Sequence, residues 1–386
     1  MAIKVANNQS LTAITALPSA VSGGAMTLLE TQTASSSATL SFTSNIDSTY
    51  DEYVFKFYDI HPSNNDVTFR FQGDTGTNTS YNQTITNNGG TIQVTDSSSD
   101  NAIKVQGDTF ILDNNINGTI QAPGYAINVS GASATITNSG TIFGTTQRAI
   151  YLNSTGHTIT NESDGTIEAG KSESGWDISG GTDRLAVELL AGATNLILNN
   201  YGTINAGSNT IKTASENMTL TNYSGGTISG TGDGSTLKTI FVVGDNNTIE
   251  NYGTISGAGD TNSINVDSGI TGTNIIIHGA STITGEIDLE STATAITFTC
   301  DFTSNMDVEV ENKTNMTVTN NLCGNDTYEI LDSSKNADAD NSETDGYIRI
   351  DEGLEVVSNN ASYRSENVLT KLKGLFSAAN YIDGVE

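Results

Sequence analysis

Between residue 85 and about residue 300, apolar and polar residues alternate in runs of three or four, and the 3.6-residue spacing of a helix is missing. A Gly-Thr-Ile triplet punctuates the region, ending at Ile92, Ile120, Ile142, Ile167, Ile204, Ile228 and Ile255, with a Ser-Thr-Ile version ending at Ile283. The intervals are 28, 22, 25, 37, 24, 27 and 28 residues. Most triplets follow an Ile-Thr-Asn-like segment such as Ile136-Thr137-Asn138, Ile159-Thr160-Asn161 or Leu220-Thr221-Asn222. Most precede an apolar-x-apolar pair: Ile103/Val105, Ile127/Val129, Ile150/Leu152, Val187/Leu189, Ile240/Val242 and Ile264/Val266. Each period therefore holds three short strands. One such unit cannot bury its own apolar edge, so units must stack and share an interior.

The pattern predicts an all-β chain: a single-stranded parallel β-helix of about eight or nine coils, stacked at ~4.8 Å per coil. Asn87, Asn138, Asn161, Asn200, Asn222 and Asn251 recur where strands must bend. Asparagine tolerates the left-handed conformation, and stacked amides can form a hydrogen-bonded ladder. Tyr201, Tyr223 and Tyr252 follow three of them and predict a short aromatic stack. The glycine of each triplet is read as permitting the turn.

Residues 1–84 lack the repeat. Met26–Glu30, Ala38–Thr43, Tyr53–Ile60 and Val67–Gln72 alternate like strands and predict a small β-sandwich-like module. The shaft is placed at 85–323, with 324–386 as a C-terminal cap or oligomerisation segment. There, Ser365–Ala379 predicts a short helix, with Ser365 as its cap and Val368, Leu369, Leu372, Leu375, Phe376 and Ala379 on one face.

Composition narrows the chemistry. Forty-four acidic residues against 15 basic give a net charge of −29, which disfavours nucleic-acid backbones and anionic membranes. No apolar run is long enough to span a membrane, and the weak run Leu11–Val21 falls short of a secretory leader. His61, His157 and His278 lie too far apart in sequence to argue a catalytic or metal cluster. Asp338, Asp340 and Asp345 sit in an acidic loop that lacks the EF-hand pattern; a solvated loop is the favoured reading and a Ca²⁺ site the minor one. Cys300 and Cys323 lie 23 residues apart, one coil, and so stack as either a disulfide or a ladder of two free thiols.

The one long interval, 37 residues, holds an insertion over Glu168–Val187 with the only tryptophan. Such insertions project from one edge of a coil, where repeat proteins carry function. Trp176, Asp177, Asp183 and Arg184 are its carbohydrate-contact candidates, against the plainer reading of a loop whose tryptophan packs on the shaft. No catalytic residue is assigned.

The run Thr31–Ser44, followed by Asp51–Pro62, resembles the N-terminal part of structural proteins from tailed phages of marine bacteria. The repeat region resembles both the passengers of bacterial autotransporter adhesins and the shafts of phage tail spikes. These resemblances imply a virion fibre or spike whose first module docks on other virion proteins. By analogy they imply a homotrimer that meets a host surface glycan or receptor. A bacterial cell-surface adhesin and a polysaccharide-depolymerising spike are the alternatives.

Overall fold

The structure, a computed structural model, describes residues 28–33, 42, 84–95, 100–172, 175–176, 184–231, 237–257, 262–304, 306–323, 326–332, 346–351, 354–358 and 361–365. The chain divides into two compact units, residues 1–65 and 66–386. The sandwich expected over 1–84 and the helix expected over 366–379 fall almost wholly outside the described residues, and Ser365, read as the helix cap, ends the strand Ala361–Ser365.

The second unit is the expected parallel β-helix. Three sheets form its walls, each built from one strand per coil. The first sheet has ten parallel strands, from Thr84–Asn87 to Met316–Asn320, and the second has eight, from Thr91–Gln93 to Thr282–Thr284. The third begins at Ile103–Val105 and runs parallel through Met306–Glu311; there Gly346–Asp351 pairs antiparallel, followed by Thr327–Asp332. About nine turns result, and antiparallel strands end the third wall.

Period-two alternation puts one set of side chains inside every wall. Ile120, Ile142, Ile167, Ile204, Ile228 and Ile255 of the triplets are fully buried, as are Leu112, Ile136, Ile159, Leu198, Leu220 and Ile249 of the first sheet. Register is strict: Thr158-Ile159-Thr160-Asn161 pairs residue for residue with Thr135-Ile136-Thr137-Asn138. A one-residue slip would turn the whole apolar set outward, so burial itself fixes the register.

The asparagine ladder forms inside the corner between the first and second sheets. Asn87, Asn114, Asn138, Asn161, Asn200 and Asn222 each donate Nδ2–H to the Oδ1 of the asparagine one coil on, at 2.8–2.9 Å, ending at Asn251. The same Nδ2 donates to the carbonyl of the following triplet glycine, as from Asn161 to Gly165 at 3.1 Å. Asparagine and glycine thus form one device.

Two details depart from expectation. The ladder asparagines end strands and are not left-handed; a regular left-handed column lies instead at the opposite corner, from third sheet to first. There Thr109, Ser133, Gly156, Asn195, Asn217, Asn246 and Gly272 have φ between 57° and 75°, one per coil, each just before a buried residue that enters the first sheet. The triplet glycines, in turn, have no positive φ apart from neighbours such as Gly225; they serve close approach.

The left-handed column yields a stabilising substitution. Threonine is the costliest type there, since its branched Cβ crowds the carbonyl. Thr109→Gly is expected to raise stability by about 1 kcal/mol, seen as a higher thermal midpoint; an unchanged or lower midpoint would contradict it.

His157 occupies the interior column that holds Ala134, Leu196 and Met218 in neighbouring coils, and is 1% exposed. Its Nδ1 accepts the Ala134 N–H at 3.2 Å, while Nε2 is buried without a hydrogen-bond partner. Burial pushes its pKa below 6.5, against a smaller opposing pull from the Ser154 backbone. The neutral ring is the folded form, so unfolded chains bind the proton first as pH falls. Stability from this site is full above pH 6.5 and is lost as pH falls through the depressed folded value. His157→Leu should flatten that part of a stability–pH profile; an equally steep profile in the variant would contradict it.

Candidate functional site

The outer face of the third sheet carries the most varied chemistry among the described residues. Its outward column is set by the middle residue of each apolar-x-apolar pair. It runs Lys104, Asn128, Tyr151, Glu188, Lys212, Phe241, Asn265, Asp288, Glu311, one per coil in register. The identities change at every coil while the flanking Ile, Val and Leu stay buried. The scaffold is held constant and one exterior column is free to differ.

The first cluster centres on Glu188, whose side chain is 4% exposed. Arg148 donates Nε–H to its Oε2 at 2.5 Å, and the Lys212 ammonium stands 3.8 Å from its Oε1. A buried carboxylate needs such partners, because leaving it unpaired costs several kcal/mol, about 3–5. Tyr125 and Tyr151 stack at 4.8 Å, and the Arg148 guanidinium lies 5.5 and 5.8 Å from their ring centres. Burial, then the neighbouring Tyr125 and Glu188, push the Tyr151 phenol above its ordinary range, against the pull of Arg148. That phenol therefore stays a neutral donor. One coil below, the Oδ1 of Asn128 is buried with no hydrogen-bond partner.

A second cluster surrounds Asp288. Lys238 lies 3.5 Å from its Oδ2, Asn262 donates to that oxygen at 3.0 Å, Asn265 donates to it as well, and Asn312 donates to Oδ1 at 3.2 Å. Asn265 also donates to Glu290 at 3.2 Å, and its own Oδ1 is buried without a partner. Glu188 and Asp288 are four coils apart in register, ~19 Å at 4.8 Å per coil. Carboxylates that flank one glycosidic bond stand about 5–10 Å apart, so these two do not form such a pair. What the face offers is acceptors, aromatic edges and paired charges.

The 168–187 insertion leaves the stack beside the first cluster. It departs after Thr166–Ala169 of the second sheet and returns at Val187–Leu189, the strand that carries Glu188. Lys171–Ser172 pairs antiparallel with Gly175–Trp176, so the backbone of Trp176 lies on a small hairpin. Asp177 and Asp183 lie outside the described residues, as do Asp338, Asp340 and Asp345. Arg184 is at the return point, where its carbonyl accepts the Ser208 hydroxyl at 2.7 Å and its N–H donates to that oxygen at 3.1 Å. Its side chain runs over Gly170, where a Cβ would meet Arg184 Cδ at 2.8 Å. Arg184 thus ties the base of the insertion down.

No protein-family model, curated protein or solved structure matches this chain. Its chemistry must be read from its own side chains.

Elsewhere, the expected tyrosine stack is present on the exterior: Tyr201–Tyr223 at 4.1 Å, Tyr223–Tyr252 at 6.2 Å, extended by His278 at 3.5 Å from Tyr252. His278 bridges three coils, with Nε2 3.0 Å from Glu250 and Nδ1 3.0 Å from Asp301. The Tyr252 hydroxyl donates to Glu250 at 2.8 Å, and that bond, aided by burial, pushes its pKa up to about 12. Among the described residues no group of three or more His, Cys, Asp or Glu could hold a metal ion. Cys300 and Cys323 are joined as a disulfide, Cα atoms 4.7 Å apart, which decides between the two readings of their spacing.

Arg148, Tyr125, Tyr151, Glu188 and Asp288 were not among the sequence candidates. For Tyr151, Glu188 and Asp288 the signal was nonetheless present: in an apolar-x-apolar pair, period two sends the middle residue outward.

Proposed function

We propose that this chain is a structural protein of a virion, a fibre or spike, whose β-helix is a rigid shaft and whose third-sheet outer face contacts a host-surface glycan. The carrying observation is the contrast on that face. A uniform interior carries a column whose residue type changes from each coil to the next, from Tyr151 to Glu188 to Lys212 to Phe241, with Arg148 beside it and the inserted hairpin near by. Tyr125 and Tyr151, held by Arg148, provide rigid apolar edges at low entropic cost. Trp176 and its neighbours in the insertion would extend the contact.

In this reading residues 1–84 dock on other virion proteins, in keeping with the resemblance of Thr31–Ser44 and Asp51–Pro62 to phage structural proteins. Three copies assemble by analogy with tail spikes. The −29 charge favours solubility in a salty medium, where screening acts over about 10 Å or less.

Peptide mass spectrometry and immunogold labelling of purified particles test the assignment. The chain should be found at stoichiometric levels at a defined place on the particle. Labelling of bacterial surfaces in phage-free cultures instead would favour the adhesin. Glycan-array binding tests the face: Arg148→Ala and Tyr151→Ala should weaken any hit about tenfold or more, as loss of a central anchor does. Undiminished binding by both would remove the face from the proposal.

A further inference from the structure

Three supports hold the corner after the first sheet along most of the solenoid: the asparagine ladder, the close-packed triplet glycines and the second sheet. All three end before the solenoid does. The ladder stops at Asn251, and the next residues in that column are Ile277, Phe298 and Asn320. The second sheet stops at Thr282–Thr284. The first sheet still adds Ala293–Phe298 and Met316–Asn320, and the third adds Met306–Glu311. Those last rungs have two walls.

The disulfide stands at that corner. Cys300 lies two residues after Ala293–Phe298, and Cys323 three residues after Met316–Asn320. Phe298 and Asn320 are register partners, and the Asn321 N–H donates to the Phe298 carbonyl at 3.0 Å. The covalent bond therefore ties neighbouring rungs where the ladder and second sheet no longer do. Cys300 is exposed and Cys323 half-buried, so the bond is open to thiols.

We infer that Cys300–Cys323 is a redox-controlled clamp that takes the place of the missing wall. Open, it lets the last two rungs and the antiparallel strands paired on them fray; closed, it locks them. Closure is thiol–disulfide exchange. One protein thiolate attacks a small-molecule disulfide such as oxidised glutathione and releases one thiol. The second protein thiolate then attacks the mixed disulfide and releases the other. Two protein thiols are oxidised and one disulfide is reduced to two thiols. Reducing cytosol keeps the clamp open, and an oxidising exterior closes it.

Hydrogen exchange read by mass spectrometry on the full chain, with and without dithiothreitol, tests this. Reduction should lower protection of peptides from 293–298, 306–320, 327–332 and 346–351 on the order of 100-fold, the effect of opening a loop of this size. Peptides from 111–257 should not change. The double variant Cys300→Ser/Cys323→Ser should match the reduced protein and ignore dithiothreitol. Unchanged protection of the terminal rungs on reduction would overturn the clamp. Equal loss along the whole solenoid would also overturn it, making the bond a global folding staple. The wild-type comparison stands even if the double variant fails to fold.

Discussion

Asn161→Ala is expected to destabilise the solenoid by about 4 kcal/mol, more than any single exterior substitution. The size follows from what is left behind. Asn161 is fully buried, accepts from Asn138, and donates to Asn200 and to the Gly165 carbonyl. Alanine would take the ladder donor from Asn200 Oδ1 and the ladder acceptor from Asn138 Nδ2, which keeps only longer bonds to the Gly140 and Thr166 carbonyls at 3.1 and 3.2 Å; each loss costs about 1–3 kcal/mol. The side-chain volume is also lost. Because coils are coupled only to neighbours, a break in mid-stack weakens communication between the two halves. Urea unfolding followed by circular dichroism should then separate into two transitions. Asn87→Ala is the matched control. It sits at the start of the ladder, where its amide donates to Asn114 and receives none from a preceding rung; about half the effect is expected. Equal effects at Asn87 and Asn161 would mean that the amides do not work as a column.

Gly226→Ala should cost about 3 kcal/mol or more, and its neighbour Gly225→Ala about 1–2 kcal/mol. The two glycines are adjacent but are required for different reasons. A Cβ at Gly226 would stand 2.5 Å from the Asn200 carbonyl oxygen, 2.6 Å from Asn222 Oδ1 and 2.9 Å from the Tyr223 carbonyl oxygen. Backbone of the coil below cannot yield without breaking register, so the clash spreads. A Cβ at Gly225 meets nothing within 4 Å, but φ is +87°. There the penalty is conformational, and Gly225→Asn should recover most of it, since asparagine accepts left-handed backbone. Gly226→Asn should recover nothing. Thermal midpoints of the four variants measure this; rescue of Gly226 by asparagine would contradict the close-approach reading.

The shaft was legible because its interior repeats. Ile, Leu and Val at fixed spacing, with a Gly-Thr-Ile triplet in almost every coil, leave few geometries that can bury them. Asn114 escaped because its strand reads Ile-Leu-Asp-Asn, so the ladder was visible only in part. The left-handed column escaped because threonine, serine, glycine and asparagine share it, and no single type announces the backbone. The two cysteines were legible as neighbours from their spacing, but spacing does not carry oxidation state. The antiparallel end over 327–332 and 346–351 does not repeat, so no periodicity could find it.

The candidate face was the least legible part, for a physical reason. Its residues are the outward members of strands whose inward members make the pattern. Tyr151, Glu188, Asn265 and Asp288 share a column only after the coils are stacked, at intervals of 37, 77 and 23 residues along the chain. Nothing about Glu188 in isolation distinguishes it from the chain's other acidic residues. Its near-complete burial under Arg148 does. The insertion was found because length breaks a period even where residue identity does not.

Cysteine crosslinking measures the coil register most directly. Thr137 and Thr160 are exact register partners on adjacent rungs, and Asn199 is the partner of Thr160 one rung further on. In the Cys300→Ser/Cys323→Ser background, Thr137→Cys/Thr160→Cys should oxidise readily to an intramolecular disulfide, detected as a loss of two hydrogens by mass spectrometry. Thr137→Cys/Asn199→Cys, two rungs apart at ~9.6 Å, should not. Crosslinking of the second pair as readily as the first, or of neither, would contradict the parallel one-strand-per-coil solenoid.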